Sequence, residues 1–338
     1  MPPELQQLLR ETSRSFYLTV RILPGSVRSQ IGLAYLLARA TDTVADTGWV
    51  PVAVRLQALA DLRRRILGHS RVAVDFSSIL AATPTSGGVS LDAERRLLLR
   101  VEEAVALMER CDPADLELIR KVLDVITGGQ ELDLQRFEIG EPGSLRALAT
   151  SDALEDYTYR VAGCVGEFWT RLTRRRVFPH AMIDDVAFLE DGVRFGKGLQ
   201  YVNILRDLPR DLAAGRCYVP SDALTKLGMT PKDLQNPARE PEFRPLYDSL
   251  LDRALDHLRA GWRYTNSIPG GQIRLRLACA WPVLLGVRTI AKLRREAVLD
   301  PTRRIKVTRP EVRSVLLGTV ARLPFRRAWV RQFETALR

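Results

Sequence analysis

The chain has 338 residues, enough for one large domain or two; it is 46% apolar and 27% charged, which suits a soluble globular protein with a sizeable core rather than a disordered chain. Its net charge of +11 suggests anionic partners: nucleic acid, phosphorylated small molecules or an anionic membrane. Four scattered cysteines (Cys111, Cys164, Cys217, Cys279) and three isolated histidines (His69, His180, His257) argue against a zinc site or a Ser-His-Asp triad, and for buried thiols in a reducing compartment.

Nearly every long segment has a helical period, and none alternates convincingly as a strand. The N-terminus lacks the apolar core of a signal peptide. A short helix at Glu4 to Leu9 leads to Ser13-Arg14-Ser15-Phe16, and Pro24-Gly25 breaks the chain. Ser26 is the expected N-cap of a helix reaching about Thr47, and an amphipathic helix over Val52 to Leu67 follows. Ala82 to Ser90 reads as a loop. Leu91 begins a helix ending near Cys111, and Asp112-Pro113 starts the next, about Ala114 to Phe137. That helix contains Gly128-Gly129, which costs about 1 kcal/mol per glycine against alanine and needs a reason, such as a kink or a close approach. Ser151 opens a helix in which Ala162, Gly163 and Gly166 also allow close approach. A helix over Gly196 to Asp211 follows. Gln235 to Pro245 reads as a loop, and two or three helices fill Leu246 to Val298. The longest apolar run, Leu277 to Val287, contains Pro282 and is too short to span a bilayer. No repeat, low-complexity segment or composition shift marks a domain boundary, so the expectation is one domain over 1–338. The expected location is cytoplasmic, or peripheral on a membrane.

Two stripes organise this pattern. Gly196, Gln200, Asn203, Asp207 and Asp211 share one helix face, with Leu199, Val202, Ile204 and Leu205 on the rest of the circumference. Far upstream, Tyr35, Arg39, Asp42 and Asp46 do the same. A carboxylate pair one turn apart is often only a solvated face. Here each pair continues a stripe of amides or arginine on an apolar helix, and buried polar groups are costly unless they are paired or bind something. Carboxylate oxygens suit Mg²⁺, which bridges to substrate phosphates; Arg39, Arg206 and Arg216 add donors for a diphosphate. Pro209 removes one helical hydrogen bond and should kink or end the helix, which loosens the place of Asp211 over Asp207.

Asp42-Thr43-Val44-Ala45-Asp46 resembles the first aspartate motif of the squalene and phytoene synthases, and Gln200 to Asp211 followed by Gly215-Arg216-Cys217-Tyr218-Val219-Pro220 resembles their second signature. Ser15-Phe16, Arg39, Gly129 to Leu134 and Tyr157 to Gly166 match in the family's order, so the likeness covers about residues 10 to 310. The resemblance implies an all-α, single-domain isoprenoid-synthase bundle around a cavity, with Mg²⁺-assisted head-to-head joining of two prenyl diphosphates. It implies metal ligation by Asp42, Asp46, Asn203, Asp207 and Asp211, with Asp42 and Asp207 serving catalysis. Substrate binding falls to Ser15, Phe16, Arg39, Gln200, Asn203, Arg206 and Arg216. Tyr157 and Tyr159 would stand beside the reacting carbons, a phenol face stabilising a cation and a hydroxyl relaying a proton; the plainer reading is two core aromatics. Gln200 is equally readable as a maker of inter-helix hydrogen bonds.

The Tyr157–Thr173 stretch and the basic Arg303–Arg309 segment look more like squalene synthases, in which such a segment lies near the NADPH phosphate. Arg304 and Lys306 are the expected NADPH contacts. The alternatives are a phytoene or dehydrosqualene synthase working without NADPH, and a non-catalytic family scaffold, which intact aspartates disfavour. Nucleic acid is not an expected partner, because no recognised motif is present and aromatics are not interleaved with basic residues. From Pro324, residues Phe325, Ala328, Trp329, Phe333, Ala336 and Leu337 fall on one face. The 323–338 tail is thus an amphipathic helix that either lies on an anionic membrane or packs on the protein's own body.

Overall fold

The computed structural model describes residues 1–13, 16–84, 88–137 and 144–337, with the side chains of Phe16, Val89 and Ser90 outside that description. The expected all-α fold holds. Among the described residues the only strands are β1 (Arg146–Ala147) and β2 (Arg216–Cys217), paired in parallel. No helix there is long and apolar enough to cross a membrane. The chain forms two compact units, Met1–Ile139 with Arg171–Pro179, and Gly140–Thr170 with His180–Arg338. Because the two are interleaved, no change of composition along the sequence marks where one stops.

The first unit contains α1 (Pro3–Ser13), α2 (Phe16–Ile22), α3 (Gly25–Asp46), α4 (Val52–Leu67), α5 (Ser77–Ala82), α6 (Gly88–Leu99), α7 (Val101–Met108) and α8 (Pro113–Phe137). Helix α3 packs on α4, α6, α7 and α8 and buries Leu36, Leu37, Ala40 and Val44. Ser26 does not cap it. The helix opens two residues earlier, with Pro24 at the cap and its carbonyl accepting from the Val27 and Arg28 N–H groups at 3.2 and 3.1 Å. At the other end the buried Arg55 donates Nη1 to the Ala45 carbonyl at 2.9 Å, satisfying a terminal carbonyl that has no helical partner. The expected Leu91–Cys111 helix is broken at Arg100, which caps the start of α7 with non-helical backbone. Helix α8 runs on through Gly128-Gly129. The close approach there comes from Arg63, whose guanidinium lies over Gly128 at 3.4 Å from a notional Cβ and pairs with Asp124 and Glu131 at 2.7 and 2.8 Å. The fully buried Asp115 accepts from Gln30, Arg175 and Arg176, tying the Arg171–Pro179 segment into this unit.

The second unit contains α9 (Ser151–Thr158), a π-helical turn (Tyr159–Gly163), α10 (Cys164–Arg176, whose end lies in the first unit), α11 (Asp185–Ala213), α12 (Ser221–Thr225), α13 (Glu240–Ser267), α14 (Ile273–Leu293), α15 (Arg309–Arg322), α16 (Arg326–Val330) and α17 (Gln332–Ala336). Helix α11 is its axis, packed on α13, α14, α9 and the π turn. The expected close approach of small residues is present. A Cβ on Gly166 would fall 1.9 Å from the Gly192 carbonyl oxygen, and one on Gly196 2.1 Å from that of Ala162. The expected loop from Gln235 to Pro245 is a correction: 3₁₀ turns at Pro231–Gln235 and Pro237–Arg239 run directly into α13. Pro241 lies in the first turn of α13, where an N–H has no helical partner to lose.

Glu155 of α9 ties three helices together. It accepts from Lys197 Nζ, from Tyr201 Oη at 2.8 Å and from Arg253 Nε at 2.9 Å, with His257 Nε2 at 3.4 Å. Burial pushes its carboxyl up, yet these hydrogen bonds hold it far below the usual carboxylate range. The tail forms two short helices rather than one. Trp329, Phe333 and Ala336 are buried, with Trp262 stacked on Trp329 at 5.6 Å and beside Phe333 at 6.2 Å. This aromatic face is engaged on the protein's own body, while Phe325 stays exposed.

Candidate active site

In the first unit the Asp42–Asp46 turn closes α3. Arg39 Nη1 donates to Asp42 Oδ2 at 2.5 Å, and Nη2 to Glu94 of α6. Burial opposes the charge on Arg39, but the Asp42 and Glu94 carboxylates hold it above its ordinary value. Burial, and after it the Asp46 carboxylate, push the Asp42 carboxyl up to about 6 against the pull of Arg39. Asp46 is exposed. Tyr35 donates Oη to the Thr12 carbonyl at 3.1 Å. Ser15 and the side chain of Phe16 lie outside the described residues.

In the second unit the polar stripe of α11 is its open side: Asn203 is exposed, Gln200, Asp207 and Asp211 are half-buried, and Tyr201, Ile204, Leu205, Leu208 and Leu212 are buried. Arg206 forks onto Asp207, Nε to Oδ1 at 3.0 Å and Nη2 to Oδ2 at 2.6 Å. Asn203 Nδ2 donates to Gln200 Oε1 at 3.4 Å, a bond within one helix. Of the expected kink or end at Pro209, the end does not occur, since α11 continues to Ala213. Pro209 cannot donate to the Leu205 carbonyl, and the hydroxyl of the fully buried Tyr247 donates to it instead at 2.9 Å. Asp207 and Asp211 therefore stay on one helix.

Tyr157 is buried and stacked on Tyr218 with ring centroids 4.6 Å apart. Tyr159, half-buried on the π turn, donates Oη to Glu167 at 3.1 Å. Burial first, and then the Glu167 carboxylate, push its hydroxyl up. Arg216 is half-buried on β2, opposite Arg146. Arg304 and Lys306 are exposed on an irregular segment before α15. Sequence reasoning missed Glu94, Glu167 and Tyr218 as neighbours of the site, and only Tyr218 carries a signal, standing inside the second signature.

Among the described residues no three His, Cys, Asp or Glu side chains gather as a metal cage. Mg²⁺ needs none, since one or two carboxylates, retained water and substrate phosphate complete its shell. The donor sets fit it. Asp42 and Asp46 crowd negative charge, which a divalent cation relieves. The Arg206 fork leaves lone pairs on Asp207. Arg39 and Arg206 are both engaged by carboxylates.

The sequence profile described as squalene/phytoene synthase matches residues 9–311, and the chain belongs to that family. It is 27% identical over 287 residues to a squalene synthase of Saccharomyces cerevisiae, an alignment covering 84% of this chain and 60% of the yeast protein. It is 28% identical over 260 residues to a bifunctional lycopene cyclase/phytoene synthase of Arthroderma gypseum, covering 73% of this chain and 39% of the relative. The chain thus spans less than two thirds of the length of these relatives. A solved ligand complex of TcSQS superposes with a TM-score of 0.78 at 20% identity, covering 98% of this chain and 89% of the other, and shares the fold.

Proposed function

We propose that the protein joins two farnesyl diphosphates head to head, through presqualene diphosphate, to squalene. The observation that carries this is the repetition of one device on two long helices: carboxylates a turn apart beside a guanidinium, Asp42 with Arg39 and Asp207 with Arg206. Asp42, Asp46, Asn203, Asp207 and Asp211 would hold Mg²⁺, which when bound neutralises the charge that develops as diphosphate departs. Arg39, Arg206 and Arg216 bind diphosphate oxygens, and Gln200 orients Asn203. The stacked rings of Tyr157 and Tyr218 present aromatic faces suited to stabilising an allylic cation. Tyr159 holds its proton firmly, so its hydroxyl serves as a donor and relay rather than a base. Arg304 and Lys306 would take the phosphate of NADPH, which when bound supplies the reducing hydride.

The phytoene synthase relative favours a second reading, in which a proton is lost and no reductant is used. Incubation with farnesyl diphosphate and Mg²⁺, with and without NADPH, separates them. Squalene formed only with NADPH supports the first reading. A product profile indifferent to NADPH, or activity confined to geranylgeranyl diphosphate, overturns it.

A further inference from the structure

A cavity of about 810 Å³ opens in the second unit between the end of α13, the start of α14 and the tail, within the roughly 300–1,000 Å³ range of small-ligand sites. None of the residues assigned above lines it. Its walls are mixed: Leu323, Val330 and the rings of Trp262 and Trp329 are apolar, Arg263, Arg276 and the exposed Arg326 bring charge, and Met182 lies at its mouth, 98% exposed.

Arg276 projects into this setting with an unmet charge. Among the described residues no carboxylate pairs with it, and its Nε is buried without a hydrogen-bond partner. Its Nη2 reaches Asn266 Oδ1 only at 3.5 Å, and that oxygen already accepts from Trp329 Nε1 at 2.8 Å. The guanidinium lies 4.9 Å from the Trp329 ring centroid, a cation–π contact that fixes its place without neutralising it. Burial pushes it down from its ordinary value, whereas the carboxylate-paired Arg39 and Arg206 are held above theirs. Arg263, on the same wall, is already matched by Asp191 at 2.6 Å. A part-buried charge left unmatched is costly unless something binds it.

We propose that this cavity binds an amphipathic anion, its carboxylate or phosphomonoester head on Arg276 and its apolar chain along Leu323 and Val330. The chemistry fits a fatty acid or a phosphorylated lipid alcohol, and the site stands independently of the reaction proposed above. The test uses the full chain labelled with 5-fluorotryptophan, whose five tryptophans give ¹⁹F signals assignable by single Trp→Phe changes. Decanoate and decyl phosphate are titrated separately, with inorganic phosphate as a head without a chain. The expected result is saturable shifts of the Trp262 and Trp329 signals with at least one of the two amphiphiles, the tighter naming the head, and at least ~10-fold weaker binding in Arg276→Gln. Leu323→Glu, on the half-exposed wall, should show the same loss by repelling the anion, and decides the matter if Arg276→Gln melts abnormally low. Unmoved Trp262 and Trp329 signals at millimolar amphiphile, or equal midpoints in wild type and variant, overturn the proposal.

Discussion

The two aspartate helices reach similar stripes by different means. Helix α3 has no internal proline; a carbonyl of its last turn is satisfied by Arg55, and its site is charged by crowding, with Asp42 raised beside Asp46 while Arg39 divides itself between Asp42 and Glu94. Helix α11 carries Gly192, Gly196 and Pro209, residues that weaken helices, and each is tied to a tertiary contact: two backbones pressed close and one tyrosine hydroxyl. Its Asp207 has an arginine of its own. One helix holds a regular backbone and concentrates electrostatic strain in its side chains. The other settles its side-chain charge locally and relies on distant residues to keep its helix continuous.

If both helices serve one reaction, Asp42→Ala and Asp207→Ala should each lower turnover of farnesyl diphosphate by ~10³-fold or more at saturating Mg²⁺, about 4 kcal/mol of barrier. Near-normal turnover in either variant would break the pairing and leave one stripe structural.

Backbone dependence is tested next. Tyr247→Phe strands the buried Leu205 carbonyl and should cost about 1–3 kcal/mol in chemical unfolding. Pro209→Ala restores the missing N–H, so Tyr247→Phe should cost clearly less in that background. An identical cost in both backgrounds would mean that the hydroxyl is not the proline's substitute.

The smallest effect concerns charge. Asp42 rises from 3.8 to about 6 on folding, so between those values the folded protein holds a proton that the unfolded chain has lost, and stability falls as pH rises through this window. Asp42→Asn removes that loss. Without divalent metal it should melt about 1–3 °C higher than wild type at pH 7, the difference closing below pH 4; the gain is small because the Asp42 side chain is 40% exposed and screened. Asp207→Asn, which only deprives Arg206 of its fork, should melt slightly lower at pH 7. A rise in both, or a gain for Asp42→Asn that persists at pH 3.5, would erase the contrast.

Helix existence was legible because apolar spacing is local, as were the two stripes and the small residues at 162, 163 and 166. The family resemblance rested on those same stripes and is matched by the profile over residues 9–311. What escaped was tertiary. Pro209 reads as a break because its substitute donor, Tyr247, lies 42 residues beyond Leu205. Glu94 and Glu167 look like ordinary surface acids until folding brings Arg39 and Tyr159 to them. The start of α13 was misplaced because Pro241 and Pro245 read as loop residues; Pro241, in the first turn, sacrifices nothing, whereas Pro245 sits inside the helix, whose packing outweighs the bond it forgoes. The tail's amphipathic pattern is real, but periodicity reports that a face is apolar and not what covers it; Trp262 does.

Glu155 has a consequence for how the second unit comes apart. Helices α9, α11 and α13 converge on that one carboxylate through Lys197, Tyr201, Arg253 and His257. Detaching α9 withdraws the anion and leaves Lys197 and Arg253 without their shared counter-charge; detaching either other helix strips donors from a part-buried acid. Fraying of one helix is therefore opposed by the other two. The three should therefore open as a single cooperative block, and their amide protons are expected to exchange together rather than in a gradient from the helix ends.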